Sequence, residues 1–256
     1  MLPIGDDNSD RTITPVVNYV LIAVNVLVFV FFQGLGTNDR FTYAWSTVPE
    51  EIVTGRDVVT RPHAVEDPVS GERFQEPGLQ PTPGSVYLTL LTSMFMHGGF
   101  AHLFGNMLFL WIFGDNLEDR MGHVRYLIFY LVCGVLASLA HVFSTVLFGQ
   151  NPLVPSLGAS GAISGVLGGY VLLFPTRQVR VILFRFLTTV PAYVALGIWF
   201  LFQLVSGLGM LGGGTEAGGV AYAAHIGGFI AGLVLVKFFD RGGNAAGASP
   251  QWFGRG

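Results

Sequence analysis

Six stretches of the chain, approximately residues 16–33, 98–114, 124–148, 157–174, 188–206 and 220–239, are predominantly apolar. Each is close to the roughly 17–25 residues a helix needs to cross a bilayer. The chain is 51% hydrophobic and 11% charged, with a mean hydropathy of +0.57. Soluble domains carry about 25% charged residues. A membrane β-barrel would show alternating segments of about ten residues, and these are absent. The expected fold is therefore an all-α polytopic membrane protein with six transmembrane helices.

The charges outside those stretches give an orientation. Glu118–Arg125 carries Arg120 and Arg125, Pro175–Arg185 carries Arg177, Arg180 and Arg185, and the chain after the last stretch begins with Lys237 and Arg241. Gly149–Ser156 and Gly207–Gly219 contain no Lys or Arg. The positive-inside rule then places both termini in the cytoplasm. The expected division is a cytoplasmic tail over 1–15, a membrane domain over 16–239 and a second cytoplasmic tail over 240–256. The polar first tail, with Asp6, Asp7, Asp10 and Arg11, is expected to be disordered. The long external first loop, about 34–97, holds six prolines and eight carboxylates; connections of this length are usually functional or disordered. Its apolar end, Val86 to Met96, is expected at the membrane interface.

With this orientation the second, fourth and sixth stretches all enter from outside. At 1.5 Å rise per residue, His102, Ser160 and His225 fall at one depth, on the order of 5–10 Å below the outer surface. Ser160 lies in Leu157-Gly158-Ala159-Ser160-Gly161-Ala162-Ile163-Ser164-Gly165, with no bulky neighbour to hold another helix away. His225 lies in Tyr222-Ala223-Ala224-His225-Ile226-Gly227-Gly228. An ionisable residue inside a spanning helix is a functional hypothesis by default. Small residues at Gly161, Gly165 and Gly168, and at Ala224, Gly228 and Gly232, form stripes that permit close helix approach. A hydrogen bond between two short side chains on different helices requires that approach; the bland alternative is that the glycines only pack a bundle and His225 bonds a carbonyl.

His102 and Asn106 are four residues apart and share a helix face. Both can donate hydrogen bonds. With the Ser160 backbone N–H they would suit the oxyanion of an acyl-transfer intermediate, or they could simply join helices. No Asp or Glu occurs between Arg120 and Thr215, so the residues offer a dyad, with Ser160 as nucleophile and His225 as general base, and no third carboxylate. A metal is not expected: His97, His102, His141 and His225 lie in or near the outer half of the membrane, but an HExxH pair and a completing carboxylate or cysteine are absent. His141 is expected to make a structural hydrogen bond. The single Cys133 permits no internal disulfide, no cleavable signal peptide is evident, and no basic patch with interleaved aromatics points to nucleic acid. No cofactor is expected.

These residues in this order resemble the rhomboid family of intramembrane serine proteases, over roughly residues 16–239. Gly158-Ala159-Ser160-Gly161 is similar to the family's GxSG motif, Ala224-His225-Ile226-Gly227-Gly228 to its AHxxG motif, and His102-Leu103-Phe104-Gly105-Asn106 to its HxxxN motif. Glu118-Asp119-Arg120 before Gly122 resembles its ExR element, an ion pair at the cytoplasmic side. Two positions depart from the pattern. Val86-Tyr87-Leu88-Thr89-Leu90 stands where many members have Trp-Arg. Ser164 stands where some have a Tyr that stacks on the catalytic histidine, leaving Tyr222, helix packing or water to orient His225.

The resemblance implies cleavage of transmembrane protein substrates near the outer end of their helices, within the lipid bilayer. The fifth helix and the following loop, with Gly207, Gly209, Gly212, Gly213, Gly214, Gly218 and Gly219, are expected to form a mobile gate. A catalytically silent relative that binds membrane clients and a small transporter are the alternatives. Retention of Ser160 and His225 argues against the first, and the absence of intramembrane carboxylates and of an inverted repeat against the second. A prokaryotic plasma membrane is the expected location; the oligomeric state stays open.

Overall fold

A computed structural model describes residues 1–66, 73–211 and 221–242. The helices are α1 (Val16–Leu27, continued by a π-helical turn over Val28–Phe32), α2 (Asp39–Ala44), α3 (Pro49–Thr54), α4 (Thr89–Thr92), α5 (Phe100–Met121), α6 (His123–Leu147), α7 (Ser160–Leu173), α8 (Ala192–Leu211) and α9 (Tyr222–Phe239). The strands are β1 (Leu2–Asp6), β2 (His63–Glu66), β3 (Arg73–Glu76), β4 (Gln178–Leu183) and β5 (Phe186–Pro191).

The helix at the centre is α7. Every residue from Gly161 to Tyr170 is buried, as befits a helix that is apolar or small on all sides. It packs against α5, α6, α8 and α9, and its 14 residues span only about 21 Å. Among the described helices, α6 and α9 are long and apolar enough to cross a membrane; Val16–Phe32, Val86–Phe95, Ser160–Leu173 and Ala192–Leu208 are shorter apolar helical stretches.

Backbone contact fixes the α7–α9 pair. A Cβ added at Gly228 would collide with the Gly161 carbonyl, one at Gly232 with the Gly165 carbonyl, and one at Gly168 with the Phe229 carbonyl. On the adjoining face α6 brings Ala137 against Gly161 and Cys133 against Gly165. Below the glycines the core fills with Tyr126, Tyr130, Tyr170, Phe113, Phe129 and Leu117, all fully buried.

Several expectations need correction. The fold is mostly helical but not all-α, because β1, β4 and β5 form an antiparallel sheet in the order β1-β4-β5. The first residues are therefore not a disordered tail. Leu2–Asp6 pairs with β4, Arg11 forms an ion pair with Asp115 at 2.6 Å, and the backbone N–H groups of Thr12 and Ile13 both donate to Asp119 at 2.8 Å. The fifth apolar stretch, read from residue 188, starts as strand; its helix begins at Ala192. Along β4 the alternation of buried Val179 and Val181 with exposed neighbours marks a half-buried strand.

The ExR element is also built differently. Arg120 pairs with Asp240, through Nη2 at 2.9 Å and Nε at 3.0 Å, which holds Asp240 below its usual pKa. Glu118 instead accepts the Val17 and Asn18 backbone N–H groups at 2.9 and 2.7 Å and bonds His123. It thus satisfies orphan donors at the start of α1, where Pro15 provides no side-chain cap. Asn18 then donates to the Leu110 carbonyl and accepts from Tyr126, tying α1, α5 and α6 together.

Two outcomes follow. Gly232→Ala should lower the Tm in detergent, because overpacking of this kind costs about 1–3 kcal/mol. Gly105→Ala, whose added Cβ meets nothing within 4 Å, should hold or raise it; equal effects would contradict the backbone-contact account. The second concerns Asp6, which accepts from Tyr170 at 2.5 Å and Asn116 at 2.8 Å through Oδ2, while its Oδ1 is buried without a partner among the described residues. Burial raises its pKa to about 7. The folded state holds that proton above the unfolded pKa, so the stabilisation is complete below about pH 4 and is lost as pH rises through 7. The Tm of Asp6→Asn relative to wild type should rise between pH 5 and 8; a difference independent of pH would contradict this.

Candidate active site

Ser160 opens α7. The first helical hydrogen bond in this turn runs from Ile163 N–H to Ala159 O at 2.9 Å. The Ser160 N–H therefore has no intrahelical acceptor, as at any helix start, and lies at the positive end of the helix dipole. The chain reaches this point through Gly158 at φ +123°, a conformation that favours glycine. A Cβ there would also press on the His102 ring, 2.8 Å from Cε1 and Nε2.

The long first connection holds that approach in place. Thr47 and Ser156 exchange backbone hydrogen bonds at 2.9 and 2.8 Å, and the Gly158 N–H donates to the Ser93 carbonyl at 2.9 Å. The Thr47 hydroxyl lies 2.8 Å from the Thr89 carbonyl and 2.9 Å from the Ser93 hydroxyl, and Thr92 donates to the Trp45 carbonyl at 3.0 Å. Threonine and serine hydroxyls thus brace the segment around Val86–Leu90. Gln33, just past the π-helical turn, clamps the entry to α5: its Oε1 accepts the His97 N–H and its Nε2 donates to the His97 carbonyl, both at 2.9 Å.

Packing of α7 on α9 brings Ser160 Oγ to 2.8 Å from His225 Nε2. An imidazole nitrogen at that distance can take the hydroxyl proton as the oxygen attacks an electrophile. Both residues line a cavity of about 490 Å³ together with His102, Asn106, Gly158 and Trp199. His102 Nδ1 accepts the Gly98 N–H at 3.3 Å, which leaves its proton on Nε2 as a donor. Asn106 is buried, and its Nδ2 has no partner among the described residues. A buried amide without an acceptor is costly, and here the group lines a space in which an oxyanion could lie. All four residues singled out in the sequence surround one cavity.

Ser164 bonds within its own helix, its hydroxyl donating to the Ser160 carbonyl at 2.6 Å. Trp199 and Tyr222 place rings 6.2 and 6.4 Å from the imidazole, so an aromatic wall comes from α8 and α9 rather than α7. The expected hydrogen bond of His141 involves its backbone, whose carbonyl accepts from Ser144 and Thr145 at 2.9 and 3.0 Å. The residue that sequence reading missed is Gln203 on α8. It is buried, and its Oε1 lies 2.7 Å from His225 Nδ1. A polar residue inside an apolar helix was the available signal, but glutamine carries no charge and so did not stand out. Of the expected gate, Gly212, Gly213, Gly214, Gly218 and Gly219 lie outside the described residues.

The description "Rhomboid domain" fits residues 84–241, more than half of the chain. The chain belongs to the rhomboid family. It is similar to "Rhomboid protein 1, mitochondrial" of Saccharomyces cerevisiae, with 33% identity over 60% of this chain and 42% of the yeast protein. It is also similar to "Rhomboid protease GluP" of Bacillus subtilis, with 37% identity over 54% of this chain and 26% of that protein. A third relative, "Rhomboid-like protein 11, chloroplastic" of Arabidopsis thaliana, shows 33% identity over 61% of this chain and 54% of its own length. The chain thus spans about a quarter to a half of the relatives it matches. As a rhomboid protein it is an integral membrane protein of a family that includes intramembrane proteases.

Proposed function

We propose that this rhomboid protein is a serine endopeptidase that cleaves transmembrane proteins within the bilayer, near the outer end of their helices. The observation that carries the reading is the 2.8 Å contact between Ser160 Oγ and His225 Nε2 at the wall of a cavity of about 490 Å³.

In this reading Ser160 Oγ attacks the scissile carbonyl carbon as His225 Nε2 takes its proton. The carbonyl oxygen, now an oxyanion, accepts from the Ser160 N–H, Asn106 Nδ2 and His102 Nε2–H. His225 then gives its proton to the leaving amine, and an acyl-enzyme remains on Ser160. Water activated by the same imidazole attacks the ester, and the intermediate collapses to release the new carboxyl end and restore Ser160. A helical peptide bond is screened by its own backbone hydrogen bonds, so the substrate must unwind first. Small or helix-breaking residues near the cut favour this.

The proposal includes six spans, formed by α1 with its π-helical turn, α5, α6, α7, α8 and α9, with both termini cytoplasmic and the 16–239 domain as the proteolytic unit. Substrate entry is assigned to the side of α8, where Trp199 lines the cavity. A prokaryotic plasma membrane is the proposed host. The relatives, named as mitochondrial, chloroplastic and bacterial, do not select it.

A fluorophosphonate probe tests the dyad without a substrate. Wild type in mild detergent should label, and Ser160→Ala and His225→Ala should each abolish labelling. Labelling that survives in Ser160→Ala would put the reactive group elsewhere. An unlabelled wild type, beside a labelled active relative in the same detergent, would favour a silent client-binding protein.

A further inference from the structure

A histidine that serves as base through Nε2 must carry its proton on Nδ1. A free imidazole has no strong preference between the two tautomers and can turn about its χ2 bond, so a lone Ser-His pair would spend time in states unable to accept the serine proton. The general solution is an acceptor fixed at Nδ1, usually a carboxylate. No carboxylate lies anywhere between Arg120 and Thr215, and burying one inside a spanning helix is costly.

Gln203 occupies that position. Its amide oxygen is 2.7 Å from His225 Nδ1, and a carbonyl oxygen can only accept, so the proton of the imidazole lies on Nδ1 and the Nε2 lone pair faces Ser160 Oγ at 2.8 Å. The Trp199 and Tyr222 rings flank the imidazole without supplying an acceptor to Nδ1. We infer that Gln203 is a positioning residue. It holds His225 in the Nδ1–H tautomer and completes a Ser160–His225–Gln203 relay whose third member is neutral. An amide fixes the proton and the ring without burying a charge. Ser160, His225 and Gln203 stand on α7, α9 and α8 respectively, so the base has its working tautomer while α8 is docked on α9.

The inference rests on the protease reading for its purpose, but its test does not. Protein labelled with [15N]histidine in detergent reports the tautomer directly, with the His225 signals assigned by their loss in His225→Ala. Wild type should show a protonated Nδ1 and an unprotonated Nε2. Gln203→Met, of similar length but without the amide acceptor, should move His225 toward the Nε2–H form and lower kcat at least about tenfold, a part of the general-base contribution, with KM unchanged. Gln203→Glu, which keeps an acceptor at the same distance, should restore the Nδ1–H signal. If Gln203→Met does not fold, Gln203→Asn, one methylene too short to reach Nδ1, carries the same expectation. An Nε2–H tautomer in wild type, or a tautomer unchanged in the folded Gln203→Met or Gln203→Asn protein, would overturn the inference. A tautomer that responds as described in a wild type that no fluorophosphonate labels would uphold Gln203 as the holder of His225 and overturn the protease reading.

Discussion

The close approach of α7 and α9 is the constraint on which the rest depends. Serine and histidine side chains are short, and their 2.8 Å contact exists because glycines at 161, 165 and 168 on one helix and at 228 and 232 on the other let backbones touch. In a membrane such contact cannot rely on the hydrophobic effect, since lipid tails are as apolar as the side chains; packing and hydrogen bonding must hold the helices together. That explains why α7 is enclosed on all sides and why α6 sets Ala137 and Cys133 against the same glycines. The site lies at one end of this contact and inherits its precision from it.

Polar networks hold both ends of the bundle. At the end away from the cavity, Glu118 caps α1, Asn18 joins α1 to α5 and α6, and Asp6, Asn116, Tyr170 and Arg177 lock the N-terminal strand beneath α7. At the cavity end Gln33, Thr47 and Ser93 bind the connection after α1 to the chain entering α5 and α7. Each network joins segments distant in sequence, so the two ends of α7 are set independently. Between them the helix needs only to be small and apolar.

The site was legible in the sequence to the extent that its chemistry is written in rare residues. A serine among glycines and a histidine in an apolar stretch stand out, and counting the expected spans groups Ser160, His225 and His102, which line one cavity. What escaped was carried by ordinary residues in long-range partnerships. Glu118 and Arg120 read as partners through the resemblance to the ExR element, whereas each is paired with a distant segment. Val179 and Val181 alternate with Gln178 and Arg180, but Arg177, Arg180 and Arg185 marked the segment as a cytoplasmic loop, and the uncharged Thr188–Pro191 blended into the helix that follows. Leu2–Asp6 has too few residues to declare a strand without its partner. Gln203 gains its meaning only once α8 is laid against α9, because a lone neutral amide in an apolar helix is a weak signal that does not name its partner.

The central claim is that Ser160, set by helix packing beside His225, cuts peptide bonds inside a bilayer. The direct measurement is cleavage of a transmembrane reporter co-reconstituted with the protein in liposomes, with the cut mapped by mass spectrometry. The account predicts a defined cut at or near one end of the reporter's transmembrane segment, faster when a helix-breaking residue lies beside it and absent with Ser160→Ala. Cleavage by Ser160→Ala at the wild-type rate, or cuts confined to the reporter's soluble parts, would contradict it.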